Sequence, residues 1–414
     1  MGRKMGLNRV KWGEIGLNRA RWGIMGIGMI VGIMAQAQTA TYAGQFAGVL
    51  GEIERNSTTL AAYSRANEAQ KIGNRTGLAP ENPEIELGYL PGIHGGARKD
   101  IGISQSFDFP TLYSKKGKLA DAQNVAADWQ LRTQRMDLLL TAEQYCIELV
   151  YNNALAALYS RQLANAKEIA KAYERKLELG DATQIECNKA ALNLTNIEND
   201  LQSVNLERRQ LLSQLTLLNG GKPVEINDTA YVAVAGLPSD FDQWAAEAEA
   251  ANPAFAHMRQ EVEVAKRGVG VSKAMGLPKL SVGYAGEFTP DEGWQGVKIG
   301  VSIPLWENRH RVKHARAEVA AAEQSMNDAR MRYYSRLRYL FEQTKELKEN
   351  IKRYESVFSK NSNDILLFKA LNGGELSLLD YLLELEYYFN SYEKLMQTQR
   401  DLRLAIAELY AYKL

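Results

Sequence analysis

The chain writes one pattern twice. Pro83-Glu84-Ile85-Glu86-Leu87-Gly88-Tyr89 is matched 195 positions later by Pro278-Lys279-Leu280-Ser281-Val282-Gly283-Tyr284. A second alternating run follows each copy: Lys99-Asp100-Ile101-Gly102-Ile103-Ser104 and Val297-Lys298-Ile299-Gly300-Val301-Ser302. Each copy then enters a very long stretch of helical spacing that contains no proline, so nothing in the covalent chain forces a break. A duplicated unit of strand pair plus helical hairpin predicts a single body of two halves. It overrides the two or three separate domains that 414 residues would otherwise suggest.

All four strand segments alternate with period two. In the first, Ile85, Leu87 and Tyr89 alternate with Glu84, Glu86 and Gly88. In the second, Ile101, Ile103, Gln105, Phe107 and Phe109 alternate with Asp100, Gly102, Ser104, Ser106 and Asp108. The third sets Leu280, Val282 and Tyr284 against Lys279, Ser281 and Gly283. The fourth sets Ile299, Val301, Ile303 and Leu305 against Lys298, Gly300 and Ser302. One apolar face and one polar or bare face fit two architectures. One is a sheet packed on helices in a soluble α+β protein; the other is a membrane barrel with lipid outside and water inside. Strand lengths of about 8–10 residues and aromatics near the strand ends fit the barrel. Those aromatics are Tyr89, Phe107, Phe109, Phe288, Trp294 and Trp306. In the barrel, Glu84, Glu86, Asp100, Asp108, Lys279 and Lys298 face the lumen and tune permeation. Four strands cannot close by themselves, and open edges have no backbone partners in hydrocarbon. Three chains supply twelve strands, so a homotrimer is the simplest closure.

Each half is expected to open with a helix. Asn56 caps one running to about Gly77, and Asn252 caps another running to about Met275, with Pro253 at its first position. The stretch from Ser114 to Leu179 would span roughly 100 Å as a continuous helix. Its counterpart runs from about Arg309 to Leu371. Leu119, Ala122, Ala126 and Trp129, then Leu139, Ala142, Cys146 and Leu149, recur at three- and four-residue spacing, as in an amphipathic coiled-coil helix. The division is therefore residues 38–219 for the first repeat, 220–242 for a connecting belt with a short β-like run at Tyr231 to Val234, and 243–414 for the second repeat.

The first 38 residues differ from the rest. Arg3, Lys4, Arg9, Lys11, Arg19 and Arg21 oppose only Glu14, an apolar run from Gly23 to Met34 follows, and Ala35-Gln36-Ala37 closes the segment. This reads as a secretory signal over residues 1–37, too short in its apolar part to span a bilayer. Taking its six basic and one acidic residue from the chain's 50 and 49 leaves 44 and 48, a net charge of −4. No nucleic-acid partner is expected of such a surface. Cys146 and Cys187 fall on opposite arms of a hairpin turning near Gly180, roughly 40 Å apart, so no disulfide joins them.

Two turns interrupt the helices in register. Gly180-Asp181-Ala182-Thr183-Gln184-Ile185-Glu186 and Gly374-Glu375-Leu376-Ser377-Leu378-Leu379-Asp380 both follow G-x-x-[ST]-x-x-[DE] at an offset of 194. The glycine ends the incoming helix, the hydroxyl caps the outgoing one, and the acid resembles the partner of a capping box.

Together with the duplicated strand pair and leader, these turns make the chain resemble the TolC family of outer-membrane efflux proteins. Asn252-Pro253, Leu277-Pro278-Lys279-Leu280-Ser281 and Gly300-Val301-Ser302-Ile303-Pro304-Leu305 carry the likeness further. The match covers about residue 45 to 414, and the segment from Arg98 to Pro110 is similar to members serving cation pumps of the resistance-nodulation-division (RND) type. The resemblance implies a mainly α chain giving four strands to a trimeric twelve-stranded barrel in the outer membrane, continued by an α-helical tunnel in the periplasm. It implies a passive exit duct for small molecules or metal cations, docked to a periplasmic adaptor and an inner-membrane RND pump. A channel for type I protein secretion and a soluble periplasmic coiled-coil scaffold are the rivals. By resemblance, Asp380 stands where the family narrows its closed tip with acids. The position three further, often a second acid, is Leu383 here, which puts a second ring in doubt; Glu384 is the candidate substitute. Glu186 is the counterpart of Asp380 in the first hairpin. Asp380 as a mere helix cap is the competing reading. Gly180, Asp181, Thr183, Gly374, Glu375 and Ser377 would form adaptor-facing tips.

His310 and His314 share a helix face at i,i+4 spacing, yet no third ligand is evident and Arg309, Arg311 and Lys313 surround them. With Lys115, Lys116 and Lys118 they read as a basic collar meeting phospholipid headgroups. No metal or other cofactor is expected. Nucleophile elbows, phosphate loops and zinc signatures are absent, so the chain is not expected to be an enzyme, and energy for transport would come from a partner.

Overall fold

In a computed structural model, residues 44–93, 96–233, 236–359 and 363–414 are described. The leader assigned to 1–37 lies outside them. The first half opens with two helices, α1 (Ala47–Asn56) and α2 (Thr58–Gly73), then strands β1 (Glu84–Pro91) and β2 (Ala97–Phe107). The hairpin α3 (Pro110–Leu179) and α4 (Gln184–Leu218) follows. The second half repeats this order with α5 (Phe241–Ala251), α6 (Pro253–Ala274), β3 (Lys279–Phe288) and β4 (Gly293–Ser302). It ends with α7 (Arg311–Phe358), α8 (Asn363–Asn372) and α9 (Leu378–Leu409).

The opening helices differ from expectation by one residue and one element. Asn56 ends α1, and Ser57 is the cap of α2, its hydroxyl accepting from the Leu60 N–H. Ser57 and Asn252 stand 195 positions apart, the same offset as the strands, so Ser57 is the true counterpart of the Asn252 cap. Asn56 instead donates through Nδ2 to Asn219 Oδ1 at 3.0 Å, tying the α1–α2 corner to the end of α4. Pro253 does occupy the first turn of α6, where its missing N–H costs nothing.

At 70 residues, α3 is about 105 Å long. Pro110 pre-sets its first turn, which is why β2 ends at Phe107 short of the expected Phe109. The second long helix is not continuous: α7 stops at Phe358 and α8 resumes at Asn363.

The four strands form one antiparallel sheet in the order β1-β2-β3-β4. The β2–β3 pairing, with Ile103 opposite Tyr284 and Phe107 opposite Leu280, joins the two repeats. Helices α2, α3, α6 and α7 adjoin β1, β2, β3 and β4 and pack in that order, α2 on α3, α3 on α6, and α6 on α7. Two equivalent clusters hold the middle of the molecule. Leu50 and Ile53 of α1 pack on Leu139, Ala142 and Leu149 of α3, while Trp244 and Ala248 of α5 pack on Leu337, Leu340 and Phe341 of α7.

The belt forms no strand among its described residues. Side chains meet its backbone where a neighbouring strand would: Val232 N–H donates to Gln45 Oε1 at 3.2 Å, and Arg403 donates to the Val232 carbonyl. Asn153, buried in α3, donates to the carbonyls of Ile226 and Asp228 at 2.9 and 3.0 Å. A belt ending at residue 242 would cut into α5, which begins at Phe241. Both cysteines are free, and burial pushes the Cys146 thiol far above its ordinary value.

Candidate functional site

Residues paired across strands point to the same side of a sheet. The register therefore sorts every strand residue. Ile85, Leu87, Tyr89, Ile101, Ile103, Phe107, Leu280, Val282, Tyr284, Val297, Ile299 and Val301 share one face. That face is open: Leu87, Val297 and Ile299 are 75%, 73% and 78% exposed. Its polar exceptions are accounted for. Gln105 donates to the Glu81 carbonyl at 2.6 Å at the strand base, Gln295 accepts from the Tyr284 hydroxyl at 2.6 Å, and Lys99 lies near the hairpin end.

The opposite face holds Glu84, Glu86, Asp100, Lys279 and Lys298, as the alternation predicts. It also holds Arg98 and Glu287, which sequence reasoning did not single out. Arg98 Nε lies 2.9 Å from Asp100 Oδ1 and 3.1 Å from Glu287 Oε1, bridging β2 and β3. Continuing the third alternation past Tyr284 would have found Glu287. Asp108 falls elsewhere: it lies past the end of β2 and is largely buried, with Lys116 Nζ at 3.4 Å and Lys279 Nζ at 3.7 Å. Its carboxylate anchors the strand–helix junction instead of lining the open face.

At the far end, the two turns share one backbone geometry. Gly180 and Gly374 are left-handed, with φ of 78° and 73°, a region glycine enters without a Cβ clash. In the first, Asp181 N–H donates to the Lys176 carbonyl at 2.8 Å; in the second, Glu375 N–H donates to the Ala370 carbonyl at 2.9 Å. Both are Schellman closures. Glu186 N–H donates to Thr183 Oγ1, and Asp380 N–H to Ser377 Oγ, each at 3.2 Å.

The acids then diverge. Glu186 accepts from the Thr183 N–H at 2.7 Å and from its hydroxyl at 2.8 Å, a complete capping box. Those hydrogen bonds hold its carboxyl below the ordinary glutamate value. Asp380 accepts from the Ser377 hydroxyl at 2.6 Å through one oxygen, and the side chain is too short to close the box. Asp380 and Glu384 are exposed one turn apart on α9, with Leu383 and Tyr387 on the same stripe. Asp181, Thr183, Glu375 and Ser377 are exposed as well. Beneath them the hairpins share a core: Tyr173 and Ala190 of the first meet Leu371, Leu378 and Tyr381 of the second. Among the described residues no group of three or more His, Cys, Asp or Glu could hold a metal ion. His310 precedes α7 in a left-handed conformation, and His314 faces Glu318 at 3.6 Å.

This arrangement recurs in solved structures. The Vibrio cholerae outer membrane protein VceC superimposes with a TM-score of 0.72 at 13% identity, over 89% of this chain and 96% of that one. CusC, described for its folding and transmembrane channel formation, superimposes with a TM-score of 0.69 at 16% identity, over 89% of this chain and 92% of its own. The chain has the TolC-type channel fold. No family model matches the sequence. One curated relative, the alkaline protease secretion protein AprF of Pseudomonas aeruginosa, is 26% identical over 321 residues, or 70% of this chain. The chain spans 64% of AprF's length in that match. No helix among the described residues is long and apolar enough to cross a membrane.

Proposed function

We propose that the chain is one third of a passive outer-membrane exit duct for a tripartite efflux system. One observation carries the reading: the sheet exposes an apolar face, collects charge on the other, and leaves the outer edges of β1 and β4 unpaired. Pairing β4 of one copy with β1 of the next removes every edge and closes twelve strands in three copies. The helices then extend the pore into the periplasm, where an adaptor and an inner-membrane pump of RND type would supply specificity and energy. Glu84, Glu86, Asp100, Lys279 and Lys298 line the barrel. Asp380 and Glu384 narrow the far end, with Glu186 in a capping role. Gly180, Asp181, Thr183, Gly374, Glu375 and Ser377 meet the adaptor. Small molecules or metal cations are the cargo.

The match to AprF, named for alkaline protease secretion, favours a second reading in which the same duct serves type I protein export. Loss of the gene separates the two: sensitivity to drugs or metals marks efflux, and a missing secreted protein marks secretion. The soluble scaffold leaves a broad Ile/Val surface in water, which soluble monomers rarely do.

Ile299→Lys is the direct test of the barrel. A lysine at mid-height of a lipid-facing strand costs about 2–4 kcal/mol, so the variant should fail to reach the outer-membrane fraction as a trimer. Unchanged assembly would sink the duct. Asp380→Ala should raise single-channel conductance in planar bilayers, and unchanged conductance would retire its narrowing role.

A further inference from the structure

The apolar face does not stop where β4 stops. Ile303 and Leu305 continue its alternation beyond Ser302, and they are 64% and 72% exposed. Trp306 follows at 78% exposed, and its carbonyl accepts from the Arg309 N–H at 3.0 Å, so the chain turns directly from apolar surface into cations. Neighbouring elements bring more positive charge to this level. Lys115 and Lys118 lie in the first turns of α3, and Lys273 lies in the last turn of α6. A Cβ added at Gly270 of α6 would stand 3.5 Å from Lys115 Cδ, which puts the Lys115 stem across that helix.

The acids nearby are mostly engaged. Asp108 holds Lys116 and Lys279, Asp121 faces Arg75, and Glu318 faces His314. Glu81 and Glu307 line the junction as well, too few to offset the cations. Lys115, Lys118, Lys273, Arg309 and Lys313 make no ion pair with any described residue. Unpaired cations beneath an exposed tryptophan and an apolar band match the chemistry of a membrane boundary: tails above, phosphodiesters below.

We propose that this band, Lys115, Lys118, Lys273, Arg309 and Lys313 under Trp306, binds the headgroups of anionic phospholipids in the leaflet facing the helices. The proposal rests on the outer-membrane reading above, and it names the lipid that the chain prefers there. Each cation close to an anionic surface strengthens binding about fivefold.

The test uses the purified full-length protein in mild detergent. Native mass spectrometry counts retained phosphatidylglycerol and phosphatidylcholine in parallel titrations. The wild-type chain should retain phosphatidylglycerol at least tenfold better. Lys115→Gln, Lys118→Gln, Arg309→Gln and Lys313→Gln combined should bring the two lipids level. Lys99→Gln, at the opposite end of the sheet, should keep the preference. Equal retention of both lipids by the wild-type chain overturns the proposal, as does a preference that survives the fourfold variant. Conductance measured on the same preparations keeps the two ideas apart. A conducting trimer without lipid preference ends this inference alone, whereas a monomer that does not conduct ends the duct.

Discussion

The two hairpins turn in the same way and reach the turn differently. In the first, α3 runs 70 residues without interruption, and Glu186 closes a full capping box at its end. In the second, α7 ends after 48 residues, a short α8 completes the arm, and Asp380 makes only half of the reciprocal cap. One methylene accounts for the last difference, since a glutamate reaches back to the cap N–H and an aspartate does not. The core compensates on the other side. Tyr381 of the second turn is fully buried, whereas its counterpart Cys187 is only half-buried. The first turn is thus held by its own hydrogen bonds, and the second by packing against its neighbour.

The sharpest way to break that comparison is at the packed tyrosine. Tyr381→Ala should cost about 3–5 kcal/mol, the range for truncating a large buried aromatic. Cys187→Ala should cost under about 1 kcal/mol, as for most substitutions away from a packed core. Thermal melts of the two variants should therefore separate widely, and similar shifts would show that the second turn is not held by packing. A smaller effect is expected at the caps. Thr183→Ala and Ser377→Ala each remove a cap worth about 1 kcal/mol. Ser377 should be the more costly, because Asp380 then loses its hydroxyl partner outright, whereas Glu186 still accepts from the Thr183 N–H. Hydrogen exchange at the Glu186 and Asp380 amides reads both, and equal acceleration would erase the distinction. The smallest effect is a pH dependence at the first turn. The Glu186 pKa is lowered on folding, so the cap is complete above the ordinary glutamate value and lost as pH falls below it. The protection factor of the Thr183 amide, measured against its intrinsic exchange rate, should fall over that acidic range and remain flat above it.

The duplication, the strand faces and both turns were legible in the residues. Period-two alternation fixes which side chains share a face once the strands pair, and the glycine and hydroxyl of each turn carry their own geometry. Other features were legible and passed over. Ser57 obeys the 195-residue offset that Asn56 breaks, and Glu287 continues the alternation of the third strand. Asp108 shows a different kind of miss. Its place in the alternation is correct, but Pro110 starts a helix so soon that the strand ends before it, and two lysines then claim the carboxylate.

By itself the sequence determined the repeat, the element types and the polar–apolar split of each strand, because these depend on neighbours a few positions away. Only the tertiary structure decided that β2 of one repeat pairs with β3 of the other, and that Arg98 bridges Asp100 and Glu287. Those facts join residues up to nearly 190 positions apart, as with Lys99 opposite Phe288. Local propensity carries no information about such pairs, and they are chosen when long helices and a shared sheet bury the same surface together.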